Sequence, residues 1–265
     1  MKTYKQVFAE LDRAALIPFF VIGDPDFDKS LAVVKTAIDA GADILELGIP
    51  FSDPIADGPT IQKADIRSLK NGMNVKKALS FIKKIKAYKD IPIGLLMYYN
   101  LIYQYGLEKF FTDFHKAGVN SVLVADLSID DADEVISPAV SAGLDTVFMV
   151  TPNTDTERIK LIASKTTGFI YTVSLLGVTG SRENLSDAVA GLVGRLKKLT
   201  SVPICVGFGI SKPQHAAQVA AAGADGVIIG SKVVELIEKN LSDKRKMLSE
   251  LSKFLGDVKT AIKNK

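Results

Sequence analysis

Residues 44–61 hold two carboxylates at positions where they could transfer protons. The segment begins as a short apolar strand that includes Glu46 and continues into a loop with three prolines that includes Asp57. Side chains alternate along a strand, so Glu46 faces the side opposite to its two leucine neighbours. If the leucines pack against helices, Glu46 points into the core. A carboxyl there can have its pKa raised toward neutrality, which suits a general acid or base.

Glycines follow three further apolar segments and indicate a site for an anion. The first segment carries Tyr171 and is followed by Gly177-Val-Thr-Gly180, the second by Gly207-Phe-Gly-Ile-Ser211, and the third by Gly230-Ser231, which opens a helix. Backbone amides at a helix start bind anions, and small residues let a ligand approach closely. Each glycine pair alone is weak, because glycine also serves turns. Together, after consecutive strands, they favour a phosphate site.

The elements that would position these residues repeat along the chain as a helix, a glycine-containing stop and a short apolar strand. Four such stops have the pattern Ala-Gly-x-Asp/Asn, beginning at Ala40, Ala117, Ala142 and Ala222. The strands predicted in this way are Ile17–Ile22, Ile44–Gly48, Ile93–Tyr98, Ser121–Ala125, Thr146–Val150, Phe169–Ser174, Pro203–Gly207 and Gly226–Gly230.

Eight strands alternating with helices predict a (β/α)₈ TIM barrel, formed by residues 1–265 as a single domain. The pattern adds an N-terminal helix and extra helices after strands 2 and 8. A doubly wound open sheet is the alternative, but it would need a glycine-rich dinucleotide turn after the first strand, and Gly23-Asp-Pro is not one. In a barrel, function gathers at the carboxyl ends of the strands, where Glu46, Asp57 and Tyr171 are expected.

Composition excludes several other functions. The net charge is only +3 and the lysines lie on helix-like segments without interleaved aromatics, so nucleic acid is not an expected partner. The single cysteine, Cys205, lies in an apolar strand and excludes disulfides and cysteine-rich metal sites. No run of about 18 apolar residues is present, so we expect no membrane association and a cytoplasmic protein.

Metal and Schiff-base chemistry are also disfavoured. Of the two histidines, His115 lies in a helix before a glycine stop and His215 lies in the helix after Pro213, both away from predicted strand ends. Surface or capping roles are therefore expected, and no metal site is predicted. The sixth strand has no lysine, which argues against an aldolase that forms a Schiff base.

The long motif from Glu46 to Gln62 closely resembles the signature of the tryptophan synthase alpha subunit family. The resemblance continues through Gly94–Asn100, Val124-Ala-Asp126 and the three glycine motifs, and so covers nearly the whole chain. It implies cleavage of indole-3-glycerol phosphate to indole and glyceraldehyde 3-phosphate, a retro-aldol reaction with no cofactor on this subunit.

The resemblance also implies roles for particular residues. Glu46 matches the family's acid–base group, Asp57 the carboxylate that pairs with the indole N–H, and Tyr171 a residue that orients the site. Phe19, Leu96 and Leu123 would form the wall of the indole pocket. The remaining substrate-binding positions are Thr179, Gly180, Gly209, Gly230 and Ser231, with the phosphate held chiefly by backbone amides.

Two loops would have further roles by the same resemblance. Phe51, Asp53 and Pro54 match positions that meet a beta subunit, which carries pyridoxal phosphate and receives indole in an α₂β₂ complex. Residues 177–184 would form a closing lid, in which Thr179 reaches toward Asp57. Two alternatives remain: a self-sufficient indole-producing lyase of the same family, and a catalytically silent barrel that serves only as a binding subunit.

Overall fold

A closed ring of parallel strands forms the centre of the molecule. The structure is a computed structural model that describes residues 1–173, 185–207 and 209–263, with residues 185–188 described in their backbone only. Neighbouring strands pair in parallel throughout the described sheet. The strands are β1 (Ala15–Val21), β2 (Leu45–Gly48), β3 (Ile93–Met97), β4 (Ser121–Val124), β5 (Asp145–Thr146), β6 (Phe148–Val150), β7 (Ile170–Val173), β8 (Ile204–Gly207) and β9 (Gly226–Ile229).

All eight predicted strands are confirmed, and the fifth is divided at Val147 into β5 and β6. This divided strand closes the ring, because its first half pairs with β4 and its second half with β7. The Val147 amide donates to the Val122 carbonyl at 3.1 Å, and the Thr146 carbonyl accepts from the Gly168 amide at 3.1 Å. The predicted (β/α)₈ barrel is therefore the observed fold.

Helices surround this ring. In the described residues they are α1 (Tyr4–Glu10), α2 (Phe27–Asp39), α3 (Pro59–Lys70), α4 (Val75–Tyr88), α5 (Tyr99–Tyr105), α6 (Leu107–Ala117), α7 (Asp133–Ser141), α8 (Thr156–Lys165), α9 (Leu185–Leu199), α10 (Pro213–Ala221), α11 (Ser231–Lys239) and α12 (Lys244–Ala261). None of these described helices is long and apolar enough to cross a lipid bilayer.

The predicted extra helices are present, since two helices follow β2 and two follow β9. A further pair, α5 and α6, follows β3 and was not predicted. Gly106 divides this pair with a φ of 92°, a conformation that favours glycine and interrupts the helix. Elsewhere, side chains cap the helix starts. Asp26 accepts a hydrogen bond from the Lys29 amide at the start of α2, and Asn74 accepts one from the Lys77 amide at the start of α4.

Alternation along the strands separates two apolar layers. Leu45 and Leu47 belong to the layer between strands and helices, whereas Ile44 faces the barrel interior. At the amino-terminal end of the barrel, α1 closes the interior with Tyr4, whose hydroxyl shares a 2.7 Å hydrogen bond with Ser121. Tyr4 thus closes the interior at the amino-terminal end of the barrel, and polar groups are concentrated at the opposite, carboxyl-terminal face.

Candidate active site

Glu46 points into the barrel, as the alternation of β2 predicts. It lies beside Phe19 of β1 and Gly94 of β3 in the strand register, and only 4% of its surface is exposed. Its Oε2 atom has no hydrogen-bond partner in the described residues. Burial, and then the nearby charge of Asp57, raise the pKa of Glu46 to about 8. This carboxyl can therefore gain or lose a proton near neutral pH.

Asp57 lies in the loop between β2 and α3 and is half-buried. Its Oδ2 accepts a 2.7 Å hydrogen bond from the hydroxyl of Tyr98, which in turn accepts the backbone amide of Ala56 at 3.1 Å. Burial raises the pKa of Asp57, and the Tyr98 hydrogen bond opposes this effect. The ring of Tyr98 also stacks on Phe51, with ring centroids 5.0 Å apart. Tyr98 therefore connects the carboxylate with the adjoining exposed loop.

Tyr98 was not among the predicted site residues. An aromatic residue directly after an apolar strand is more often part of the core, and Tyr98 is itself 3% exposed. The sequence carried one signal that could have identified it: a hydroxyl at the carboxyl end of β3, next to the strand that bears Glu46.

Tyr171 approaches Glu46 from the far side of the barrel. It lies on β7 and is buried, and its pKa is raised well above the usual value by burial and by the charges of Glu46 and Asp57. Gly207 on β8 makes room for it, because a Cβ there would lie 2.4 Å from the tyrosine hydroxyl oxygen. Substitution of Gly207 would displace this ring.

Apolar side chains surround the two carboxyls inside the barrel. Phe19 packs with Val21 and Ile61 in an upper interior cluster, and Leu123 belongs to the lower interior cluster with Tyr171. Leu96 contacts both clusters. The three predicted wall residues therefore belong to the apolar clusters inside the barrel, and their role around an indole ring stays a prediction.

The glycine loops lie on the other side of the ring. Gly209 has a φ of 75°, which favours glycine, and Gly230 precedes α11, whose first residue is Ser231. Among the described residues no side chain caps the start of α11, so its first amides are available to a ligand. The Nδ1 atom of His215 lies 3.2 Å from the Gly209 carbonyl, so this histidine contacts the loop after β8.

Part of the predicted site lies outside the described residues. The residues concerned are the proposed lid at 177–184, which includes Thr179 and Gly180. Phe51, Asp53 and Pro54 are described and lie in the loop after β2, where Phe51 is half-buried and Asp53 is exposed. Ile55, which was not predicted, is 83% exposed beside them.

Asp65 is a second residue that the sequence reasoning missed. It lies on α3, is 4% exposed, and its Oδ2 has no hydrogen-bond partner among the described residues. Burial and the charge of Asp57 raise the pKa of Asp65 to about 8, whereas the backbone amide of Phe51 lowers it. A helical aspartate in a polar segment is usually solvent-exposed, so no sequence signal indicated that Asp65 is buried.

The barrel and its polar carboxyl-terminal face define a (β/α)₈-barrel enzyme. A family model described as tryptophan synthase alpha chain matches residues 6–263. The chain belongs to the tryptophan synthase alpha chain family.

Individual relatives agree with this assignment. The tryptophan synthase alpha chain of Methanothermobacter thermautotrophicus is 44% identical over 259 residues, covering 98% of this chain and 96% of the relative. A structure of the tryptophan synthase α₂β₂ complex from Pyrococcus furiosus aligns with a TM-score of 0.87 at 39% identity, covering 94% of this chain and 98% of the other. The alpha subunit from Legionella pneumophila aligns over 100% of both chains with a TM-score of 0.92 at 31% identity.

Proposed function

We propose that this chain cleaves indole-3-glycerol phosphate to indole and glyceraldehyde 3-phosphate in tryptophan biosynthesis, with Glu46 as the acid–base group. The observation that carries the proposal is the Glu46 carboxyl, which is buried, has one oxygen without a partner among the described residues and has its pKa raised to about 8. Burying such a group is costly, and a strongly perturbed pKa of this kind is typical of functional sites.

The reaction needs two proton transfers. The bond that breaks joins indole C3 to the first carbon of the glycerol chain, and its electron pair goes to C3. C3 takes up a proton, and the hydroxyl on the departing carbon loses one as the aldehyde forms. One carboxyl that titrates near neutral pH can carry out both transfers from the same position, and Glu46 meets this requirement.

Asp57 would stabilise the intermediate. Protonation at C3 places a positive charge on the indole ring, and a carboxylate that accepts the ring N–H lowers the energy of this charge. The 2.7 Å hydrogen bond from Tyr98 restrains Asp57 for this task. Tyr171 would orient the substrate from β7, while Phe19, Leu96 and Leu123 enclose the indole ring.

The phosphate would bind at the loops after β7, β8 and β9. We assign Gly209, Gly230 and Ser231 to this end, together with Thr179 and Gly180, which lie outside the described residues. The uncapped start of α11 supports this assignment, because amides and the positive end of the helix dipole attract an anion.

A beta subunit would dock on the loop after β2, through Phe51, Asp53 and Pro54. The structural relatives from Pyrococcus furiosus include tryptophan synthase complexes, which supports such a partner here. We infer an α₂β₂ assembly in which pyridoxal phosphate lies on the beta subunit. In this assembly residues 1–265 act as one domain, since the C-terminal helix α12 packs on α2, α10 and α11.

The test is an indole-release assay on indole-3-glycerol phosphate with and without a tryptophan synthase beta subunit. We expect slow cleavage by the chain alone and much faster cleavage with the partner. Fast turnover that the partner does not change would support the self-sufficient lyase instead. Absence of indole under both conditions would overturn the proposed activity and leave the silent barrel as the better description.

A further inference from the structure

His215 contacts the loop after β8 through one ring nitrogen. Its Nδ1 atom lies 3.2 Å from the carbonyl oxygen of Gly209 and 3.4 Å from the backbone nitrogen of Ser211. The side chain is half-buried and belongs to the first turn of α10. Because Gly209 is one of the residues assigned to the phosphate, His215 touches the proposed phosphate site without being one of the assigned residues.

The two contacts of Nδ1 need different positions of one proton. The Gly209 carbonyl can only accept a hydrogen bond, so Nδ1 must carry a proton to bond with it. The Ser211 amide can only donate, so Nδ1 must be unprotonated to bond with it. The ring therefore has two forms at this position. One form holds the Gly209 carbonyl and releases the Ser211 amide, and the other form does the reverse.

The form that holds the Gly209 carbonyl also directs a backbone amide. The Gly209 carbonyl and the Ile210 amide belong to one planar trans peptide group, in which the N–H points opposite to the C=O. The Ile210 side chain is 5% exposed and packs in the outer apolar layer, which anchors this peptide group on one side. The Ile210 amide then points away from α10, and no backbone carbonyl of the described residues accepts it.

The direction of amides matters here because the residues assigned to the phosphate are uncharged. The first charged residues after β8 and β9 are Lys212, which is exposed, and Lys232, which pairs with Glu235 at 3.2 Å. The start of α10 offers few donors, since Pro213 has no amide and the His215 amide donates to the Lys212 carbonyl at 3.1 Å. The contribution of α10 to the loop is therefore the His215 side chain.

We propose that His215 is a positioning residue for phosphate binding: with a proton on Nδ1 it holds the Gly209 carbonyl, and the Ile210 amide then faces the phosphate. Bound phosphate selects this form of the ring over the form that accepts the Ser211 amide. The inference rests on the proposed function, because that function places the phosphate at Gly209.

Nitrogen-15 NMR of the imidazole rings tests the position of the proton. The chain has two histidines, and His115 on α6 serves as the internal reference. Adding glycerol 3-phosphate should move the Nδ1 signal of His215 toward the value of a protonated ring nitrogen and leave the signals of His115 unchanged. A His215 Nδ1 signal that does not move, or that moves toward the unprotonated value, would overturn the inference.

Variants test the hydrogen bond to Gly209. His215→Leu removes both ring nitrogens, and a calorimetric titration should give a Kd for glycerol 3-phosphate that is about 3- to 10-fold weaker, the loss expected for one hydrogen bond. In indole release the loss should appear in KM, with kcat close to wild type. His215→Gln can still donate through its side-chain amide and should recover most of the affinity. His115→Leu is the matched control and should not change the Kd.

The outcomes separate the role of His215 from the phosphate site itself. A wild-type Kd in His215→Leu would overturn the inference and leave the phosphate site in place. Equal losses in His215→Leu and His215→Gln would also overturn it, because the charge of the ring and not its hydrogen bond to Gly209 would then be required. Failure of the wild type to bind glycerol 3-phosphate would instead refute the phosphate site of the proposed function. Thermal unfolding reports whether each variant is folded, and the NMR experiment needs no substitution of His215.

Discussion

Two carboxylates three residues apart, Asp43 just before β2 and Glu46 within it, differ in their hydrogen bonding. Asp43 accepts hydrogen bonds from both terminal nitrogens of Arg13, at 2.7 and 2.8 Å, and from the backbone amide of Leu16 at 2.8 Å. Glu46 has one oxygen that finds no partner in the part of the chain that the structure describes, and its pKa is raised to about 8. Within the described residues, the carboxylate before β2 is fully hydrogen-bonded, whereas the carboxyl that would face the substrate has a free oxygen.

Glu46→Gln should give the largest effect, because it removes the proton carrier and keeps the shape of the side chain. We expect indole release to fall about 10²- to 10⁴-fold, the usual contribution of a general acid or base. Binding of a phosphate ligand such as glyceraldehyde 3-phosphate should change little. Steady-state indole release and a calorimetric titration measure the two quantities.

Retention of appreciable turnover by Glu46→Gln would remove Glu46 from the acid–base role.

The raised pKa of Glu46 should also make the stability of the protein depend on pH. Its folded-state pKa is raised above the unfolded value, so the proton-linked stability is fully present below the unfolded pKa and is lost as pH rises toward about 8. The glutamine variant should lack this loss.

Asp43→Asn should have the opposite character, with a large cost in stability and a small one in chemistry. It leaves the Arg13 guanidinium, 9% exposed, without its compensating charge. Breaking a buried pair by removing one partner costs about 3 kcal/mol. Chemical denaturation should report this loss, while kcat per folded molecule stays close to wild type. A specific loss of kcat with unchanged stability would contradict the contrast between the two carboxylates.

Tyr98→Phe should give a smaller loss of activity than Glu46→Gln. It removes the hydroxyl that donates to Asp57 and keeps the ring that stacks on Phe51. A hydrogen bond to a charged group contributes about 1.5–3 kcal/mol, so kcat/KM should fall about 10-fold or more. Stimulation by the beta subunit should persist, because the exposed loop keeps its stacking contact. The matched control is Tyr103→Phe, at a residue that is 61% exposed on α5.

Periodicity in the sequence was enough to predict the strands and the direction of Glu46, but contacts between distant residues were not predictable from it. Alternation around Glu46 was sufficient to place it in the interior, and the predicted strand bounds agree with the observed ones within two residues. The Tyr98 contact with Asp57 joins positions 41 residues apart, and no local pattern encodes it. The split at Val147 is equally invisible in sequence, because Thr146–Val150 is a continuous strand by composition and only its two different neighbours divide it.

Asp65→Asn should have the smallest effect on stability. It extends the comparison to a buried carboxyl that takes no part in the proposed reaction. The folded-state pKa of Asp65 is raised to about 8 by burial and by the charges of Asp57 and Asp24, and the Phe51 amide is the opposing influence. At neutral pH the carboxyl is therefore mostly protonated, and an amide of the same shape should change stability little, by about 0.5 kcal/mol or less.

The raised pKa of Asp65 makes the stability difference between wild type and Asp65→Asn depend on pH. A raised pKa means that the folded state holds a proton that the unfolded state has released, so wild-type stability falls between the unfolded pKa and about pH 8. Asp65→Asn lacks this contribution and should become increasingly more stable than wild type over that range, by at most about 1.4 kcal/mol for each pH unit. Urea unfolding of both proteins at several pH values measures the difference. A constant difference across the range would mean that Asp65 is ionised in the folded protein, which would contradict the raised pKa.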